Sequence, residues 1–210
     1  MPAKDPDLHG QVPDNAAVAL LLVDVINDLE WPGGEDLARY AMPMARRLRA
    51  LKARAKARGI PAVYVNDNFG RWQADLGRLL AHCLEHDVRG RPMVELLAPE
   101  ADDYFVLKPK HSAFYATPLD LLLAYLRART LIIAGIAGNI CVLFSAHDAY
   151  MREFGLVVPE DCVISNHAEQ NERALTLMRE VLQADTTPST ALDLAALQRR
   201  ATSPAPGEAG

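Results

Sequence analysis

Short apolar runs alternate along this chain with longer segments in which apolar residues recur every three or four positions. Runs without polar alternation are typical of strands that are buried on both faces of a parallel sheet. Five strands are predicted in this way, at residues 17–23, 60–65, 104–108, 131–137 and 155–158, and a further short apolar piece lies at 162–164. Strands that alternate with helices favour an α/β fold, here three-layered and doubly wound, with a mainly parallel sheet and helices on both faces.

The segments between these strands carry the spacing of amphipathic helices. Four helices are predicted, at residues 35–58, 118–127, 139–154 and 167–182. Pro43 is expected to break or kink the first of them, and Gly59 is placed to end it. Residues 66–91 are harder to assign, because the loop-like sequence NDNFGRW precedes only weak helical spacing over 76–84.

The length of 210 residues fits one domain with a sizeable core. We expect a flexible N-terminal segment at 1–15, the α/β domain at 16–185 and a partly disordered C-terminal extension at 186–210. The chain ends in ATSPAPGEAG, which is rich in residue types that are common in disordered tails.

The charge balance argues against a polyanionic partner. The formal net charge is −5, so we expect no binding to nucleic acid. A basic cluster within 46–58 alternates with apolar residues at spacings of three and four. This spacing favours a solvated helix face over a phosphate-binding surface.

The three cysteines, Cys83, Cys141 and Cys162, are scattered without C-x-x-C spacing. They indicate neither a disulfide framework nor a zinc site, and they fit a reducing compartment. The longest early apolar run, 16–23, is far shorter than the ~20 residues that a membrane span needs. We therefore expect a cytoplasmic protein without a membrane partner.

Cys141 is the strongest candidate for chemistry. It lies in GIAGNICVLFSAHDAY, where a predicted strand passes through a Gly/Asn turn into a helix. The unpaired N–H groups and the positive end of the dipole in a first helical turn favour a thiolate. A free cysteine is by itself more often a small buried hydrophobe, which is the interpretation we keep for Cys83 and Cys162.

Two other strand ends offer an acid and a base. AVALLLVD ends in Asp24 and DYFVLK ends in Lys108. If these strands are parallel neighbours of the strand before Cys141, all three side chains converge on the carboxyl edge of one sheet, where open α/β folds bind ligands. Asp28 and Lys110 are rivals for the two roles, since each lies a few positions further along the same segment.

Together, the sequences VDVINDL, LKPKHSAF and GIAGNICV resemble the isochorismatase-like cysteine hydrolase superfamily, over about residues 17–183. The superfamily includes nicotinamidases, N-carbamoylsarcosine amidase and ureidoacrylate amidohydrolases. The resemblance implies that Asp24, Lys108 and Cys141 are catalytic. It also implies a cis peptide bond before Ala137, an oxyanion hole made by the backbone N–H groups of Ala137 and Cys141, and a homo-oligomer, either a dimer or a tetramer.

The function implied by this resemblance is metal-independent hydrolysis of the C–N bond of a small amide or ureide through a thioester, with no cofactor. Nicotinamidases carry an Asp and paired histidines after the second strand. Here Asp67 has no neighbouring histidine before His82 and His86, so we expect the metal site to be missing. The common Gln two residues after the aspartate is replaced by Ile26, and the Thr after the cis peptide by Gly138.

Two alternatives stay open. The first is the isochorismatase reaction, which hydrolyses a vinyl ether. The presence of Cys141 is evidence against it, because family members with that activity generally lack the nucleophilic cysteine. The second is a non-catalytic α/β binding module. Rapid alkylation of Cys141, persisting below pH 7, would favour the hydrolase. Five side chains near the predicted rim are candidates for the substrate pocket, although they equally fit the core or an interface: Leu29, Trp31, Phe69, Phe114 and Tyr115. Trp72 is a further candidate near the same rim.

Overall fold

The computed structural model describes residues 16–70 and 75–202. Its strands are β1 (Val18–Val23), β2 (Ala62–Asp67), β3 (Tyr104–Lys108), β4 (Thr130–Ile136), β5 (Gly155–Val157) and β6 (Val163–Ile164). Its α-helices are α1 (Gly34–Lys56), α2 (Leu76–Glu85), α3 (Arg91–Leu97), α4 (Leu119–Leu126), α5 (Leu143–Met151), α6 (Ala168–Glu180) and α7 (Leu194–Thr202). The predicted flexible segment 1–15 lies outside the described residues.

The strands form one sheet in the order β3-β2-β1-β4-β5, with β6 also paired to β4. Every described pairing between named strands is parallel. All six residues of the central strand β1 are buried, and alternate side chains enter two separate apolar clusters. Apolar residues of α1, α3 and α7 join one cluster, whereas those of α4, α5 and α6 join the other. The predicted three-layer α/β fold is thereby confirmed.

The register of the sheet brings the ends of its inner strands together. Val23 at the end of β1 pairs with Val65 on one side and with Gly135 on the other. The last residue of β2, Asp67, pairs with the last residue of β3, Lys108. Residues that follow these positions therefore share one edge of the sheet.

The first helix differs from its prediction. The prediction of a break at Pro43 is wrong, because α1 continues through this residue. The uncertain region after β2 contains two helices, α2 and α3, the first of which begins where Asp75 caps it through the N–H of Arg78.

The predicted C-terminal extension is partly wrong, because residues 186–202 pack on the same core as the rest of the domain. Leu192, Leu194 and Leu197 are buried in the cluster that contains α1. The guanidinium of Arg54 donates hydrogen bonds of 2.7 and 2.6 Å to the carbonyl oxygens of Ser189 and Leu192. The segment is thus tied to α1 by apolar burial and by charged hydrogen bonds. The final residues, 203–210, lie outside the described part of the chain.

Within the described ranges, none of the helices combines the length and the apolar character that crossing a bilayer demands.

Candidate active site

Asp24 follows β1 directly and is 4% exposed. Its backbone has φ 52°, a left-handed conformation that aspartate tolerates better than most residues. Its Oδ1 accepts a 2.7 Å hydrogen bond from the backbone N–H of Asp67, and its Oδ2 lies 2.9 Å from the Nζ of Lys108. Burial raises the pKa of Asp24 and outweighs the opposite effect of Lys108. The carboxylate is therefore fixed in place but is more basic than an exposed aspartate.

Lys108 has a side chain that is 0% exposed. Its Nζ lies 2.9 Å from Asp24 Oδ2, 3.4 Å from Asp67 Oδ2 and 3.5 Å from Cys141 Sγ. Burial alone would lower the pKa of Lys108, but the adjacent Asp24 and Cys141 raise it by more than burial lowers it. The net pKa therefore lies above the ordinary lysine value, and the ammonium is retained. The rival Lys110 is exposed and contributes only its carbonyl oxygen, 3.2 Å from the same Nζ.

Asp28, the alternative to Asp24, binds a backbone N–H in its own loop and a histidine of α2. Its Oδ1 accepts a hydrogen bond from the backbone N–H of Glu30, and its Oδ2 lies 2.9 Å from His82 Nε2. Asp24 is therefore the carboxylate that meets Lys108.

Cys141 lies in a π-helical turn, Gly138–Val142, that connects β4 to α5. Burial and the neighbouring Asp24 carboxylate both raise the pKa of the Cys141 thiol. On the solvent side its Sγ is 3.9 Å from Nδ1 of the exposed His111. The sulfur thus has an ammonium and a carboxylate behind it and open space in front.

The expected low pKa of Cys141 is wrong. Burial raises its pKa to about 12, the Asp24 carboxylate adds to this effect, and Lys108 only partly offsets it. The sequence indicates the lysine, the neighbouring carboxylate and the helix terminus, but not the extent of burial, which has the largest effect. In the resting protein the shared proton therefore lies on sulfur and the charge on Asp24.

We predict that iodoacetamide modifies Cys141 at least about tenfold faster than either other cysteine, because the reagent can reach the sulfur of Cys141 more easily. Cys83 and Cys162 are 0% exposed, and their pKa values are raised to about 11 and about 12. The raised pKa of Cys141 also predicts that its reaction slows as the pH falls below 7. Peptide mapping after timed quenching measures both effects, and equal labelling of all three thiols would contradict them.

A cavity of about 540 Å³ opens in front of the sulfur. Its walls come from the loop after β1, the end of β2, the start of the π-helical turn and the N-terminus of α6. Its polar lining residues are Asp24, Asn27, Asp67, His111, Asn139, Cys141, Asn166, His167 and Gln170. Two of the predicted pocket residues, Trp31 and Phe69, also line it.

The other three predicted pocket residues lie elsewhere. Leu29 is 1% exposed and belongs to the core. Phe114 is 3% exposed and packs against Phe154, with ring centroids 6.2 Å apart. Tyr115 is 59% exposed and does not line the cavity.

The direction of the chain after β3 explains two of these errors. The backbone N–H of Ala113 donates a 2.9 Å hydrogen bond to Ser145 Oγ, which ties this segment to α5. Phe114 consequently enters the core on the α5 side of the sheet. The spacing from Lys108 could not indicate this turn. Trp72, a further rim candidate, lies outside the described residues.

Carboxamides are the site residues that sequence reasoning missed. Asn139 Nδ2 donates a 3.0 Å hydrogen bond to Gln170 Oε1, and Asn166 Nδ2 donates one of 2.9 Å to the carbonyl of Gly33. Asn139 lies in the π-helical turn after β4, whereas Asn166 lies just before α6 and Gln170 in its first turn. Isolated Asn or Gln residues give no sequence pattern. Only the shared edge brings them together.

The peptide bond between Ile136 and Ala137 is cis, as the resemblance implies. Ala137 and Cys141 both line the cavity. Gly138 follows in a packed position, because a β-carbon there would lie 2.2 Å from Asn171 Oδ1 and 2.6 Å from Val163 Cγ1. A Thr at this position, which the resemblance implies, would require the side chains of Asn171 and Val163 to shift. The other departure, Ile26, is 0% exposed and belongs to the core.

The residues that are present do not fit a nicotinamidase-type metal ion. In the ranges 16–70 and 75–202, no three His, Cys, Asp or Glu side chains are grouped closely enough to hold one. His82 binds Asp28, and its ring lies 5.1 Å from that of His86. Asp67 Oδ1 accepts the N–H of Phe69 at 2.6 Å.

A family model described as the Isochorismatase domain matches residues 18–190, which is most of the chain. This chain belongs to the isochorismatase family. The family match confirms the superfamily that the three sequence motifs indicate, and it places the chain by class among the isochorismatase-family hydrolases.

Relatives and solved structures agree with the family assignment. The isochorismatase family protein YaaI of Bacillus subtilis is 47% identical over 169 residues, 80% of this chain and 92% of YaaI. The ureidoacrylate amidohydrolase RutB of Methylorubrum extorquens (strain DM4) is 32% identical over 174 residues, 70% of each chain. A crystal structure of an isochorismatase family protein from Desulfovibrio vulgaris has a TM-score of 0.69 at 26% identity, covering 87% of this chain and 100% of that one.

One further structure supports the fold alone. N-carbamoylsarcosine amidase from Thermoplasma acidophilum has a TM-score of 0.65 at 24% identity, and the match covers 84% of this chain and 98% of that one.

Proposed function

We propose that this protein is a metal-independent cysteine amidohydrolase that cleaves the C–N bond of a small amide or ureide through a thioester. One observation carries the proposal: at a single cavity, the Nζ of Lys108 lies 2.9 Å from Asp24 and 3.5 Å from the sulfur of Cys141. A nucleophile, a general base and a fixed cation are thus assembled in contact.

The first half of the reaction forms the thioester. Asp24 accepts the proton of the Cys141 thiol as the sulfur attacks the amide carbonyl. As the proton is transferred, negative charge moves from the Asp24 carboxylate to the sulfur. The ammonium of Lys108 contacts both the carboxylate and the sulfur, so it compensates the negative charge before and after the transfer. Asp24 then donates the proton to the departing nitrogen. The C–N bond breaks, and an amine or ammonia leaves.

The second half releases the acid. A water molecule gives a proton to Asp24 and attacks the thioester carbonyl, after which the C–S bond breaks and the thiol regains its proton. In both halves the tetrahedral intermediate carries a negative oxygen. We assign the backbone N–H groups of Ala137 and Cys141 as its donors. Both residues line the cavity.

The raised pKa values predict the pH profile. Activity needs one proton shared between Asp24 and Cys141, so kcat/KM falls when acid adds a second proton to Asp24. Because burial raises the pKa of Asp24, the acidic limb of the profile lies above about pH 4, which is the ordinary pKa of aspartate. The alkaline limb requires loss of the shared proton from a thiol with a pKa of about 12. We therefore expect no decrease in kcat/KM between pH 7 and about pH 9.

Initial rates in a series of buffers measure this profile, with circular dichroism at each pH as the control for unfolding. A fall in kcat/KM centred near pH 8 would contradict the assignment of the shared proton.

An ammonia-release screen over small amides and ureides tests the proposal. The expected result is turnover of at least one compound that stops when Cys141 is carboxamidomethylated. A vinyl-ether hydrolase or a binding module would release no ammonia from any of them. The predicted homo-oligomer and the cytoplasmic location stay predictions.

A further inference from the structure

The charge of the cavity is one-sided. Of its described lining residues, Asp24 and Asp67 carry carboxylates, and none is a lysine or an arginine. Carboxamides make up much of the remaining polar wall, namely Asn27, Asn139, Asn166 and Gln170. A substrate with its own carboxylate would find two negative side chains here and no fixed cation among the residues that the structure places around the cavity.

The ammonium of Lys108 is not available to a substrate. Lys108 is 0% exposed, and its Nζ is surrounded by Asp24, Asp67, Cys141 and the carbonyl of Lys110. Binding to a substrate carboxylate would require the lysine to leave these partners. It is therefore an internal counter-ion of the catalytic side chains.

Arg89, which contacts the loop after β1, is also engaged and does not line the cavity. It donates a 2.9 Å hydrogen bond to the carbonyl of Leu29, and its other guanidinium nitrogen lies 3.1 Å from Glu30 Oε2. The guanidinium is therefore held by this loop.

Asp67 is the carboxylate that a substrate meets. Its side chain is 27% exposed, whereas that of Asp24 is 6% exposed. Its Oδ1 accepts the N–H of Phe69, and its Oδ2 lies 3.4 Å from Lys108, a longer contact than the 2.9 Å from Lys108 to Asp24. Lys108 therefore neutralises Asp24 more completely than Asp67, and a net negative charge faces the cavity.

The carboxamides suit a neutral polar substrate. Asn139 Nδ2 donates to Gln170 Oε1. The other polar atom of each amide is an acceptor in Asn139, its Oδ1, and a donor in Gln170, its Nε2. Such groups complement the C=O and N–H atoms of amides and ureides. Trp31 and Phe69 supply flat apolar walls on the same cavity.

We propose that the substrate is an uncharged or cationic amide or ureide, and that Asp67 discriminates against substrates that carry a carboxylate. This inference rests on the proposed amidohydrolase function. It separates the chain from the RutB relatives, whose named substrate, ureidoacrylate, is an acid.

Matched amides test the charge preference. Succinamide, succinamate and 3-aminopropanamide have similar size and differ in charge, and glutaramide with glutaramate gives a second pair. At pH 7, ammonia release should give a kcat/KM at least about tenfold higher for each neutral or cationic amide than for its acid counterpart. Faster hydrolysis of the acids would overturn the inference and leave the proposed function intact. No ammonia from these five or from any compound in the screen of small amides and ureides would overturn the proposed function itself.

The variant Asp67→Asn tests the assigned residue. The ratio of kcat/KM between succinamide and succinamate should fall to within about threefold, even if both rates change, because a neutral amide replaces the exposed charge. Asp28→Asn is the matched control, since Asp28 binds His82 and does not line the cavity. Its ratio should equal that of the wild type. A ratio in Asp67→Asn that equals the wild-type ratio would show that Asp67 does not determine the preference.

Discussion

Replacing Cys141 by alanine is expected to lower kcat/KM for amide hydrolysis by at least about a thousandfold. The substitution removes the atom that forms the thioester, and neither Asp24 nor Lys108 can take over nucleophilic attack from its enclosed position. The change to the fold should be small, because Cys141 is only partly buried and borders the cavity. Steady-state ammonia release by the purified variant measures the loss.

Cys83→Ala is the matched control for this experiment. Cys83 is equally a free thiol, but it is 0% exposed and belongs to the core on the α1 side of the sheet. Its replacement should lower the free energy of unfolding by about 1 kcal/mol and leave kcat/KM within about twofold of the wild type. Activity that survives in Cys141→Ala would remove the proposed nucleophile.

Lys108→Met is expected to have the largest effect on stability, a loss of about 3–5 kcal/mol in the free energy of unfolding. Methionine has a similar length but no charge, so the buried carboxylate of Asp24 loses its 2.9 Å counter-ion. The same change removes the only ammonium that contacts Cys141 Sγ among the described residues. We therefore also expect hydrolysis to fall by at least about a hundredfold. Urea denaturation and ammonia release measure the two losses separately.

Two further variants separate charge from packing. The double variant Asp24→Asn with Lys108→Met removes both charges, so it should recover at least about half of the stability lost by Lys108→Met while staying inactive. Lys110→Met is the exposed control, since its side chain lies outside the buried cluster, and it should match the wild type in both assays. A Lys108→Met variant as stable as the wild type would mean that the ion pair does not hold the site together.

The arrangement of Asp24, Lys108 and Cys141 could be predicted from sequence because sheet topology decides it. Each residue closes or follows a buried apolar run, and parallel neighbours place such positions on one edge. The structure confirms that edge: β1 lies between β2 and β4, and Lys108 ends β3, one strand further out. Once strand order is known, the separation of these residues in sequence is no obstacle.

Other properties depended on three-dimensional details that leave no local pattern. The pKa of Cys141 follows from its burial beside Asp24, whereas its helical position alone predicts the opposite direction. Phe114 enters the core because Ala113 is hydrogen-bonded to Ser145, a contact across 32 positions of sequence.

The C-terminal helix α7 was missed for a different reason. The end of the chain has the composition of a tail, and this hides the leucines just before it that complete the core. Composition describes a segment as a whole, whereas burial is decided by the few apolar residues that meet a neighbouring surface.

The central claim is that Cys141 becomes acylated during turnover, and mass spectrometry after a rapid acid quench tests it most directly. The wild-type protein should be digested after quenching in the presence of the best amide from the ammonia-release screen. We expect an acyl group on the peptide that contains Cys141, released by neutral hydroxylamine and absent from the Cys141→Ala protein. An acyl group on any other side chain, or turnover without acylation of Cys141, would contradict it.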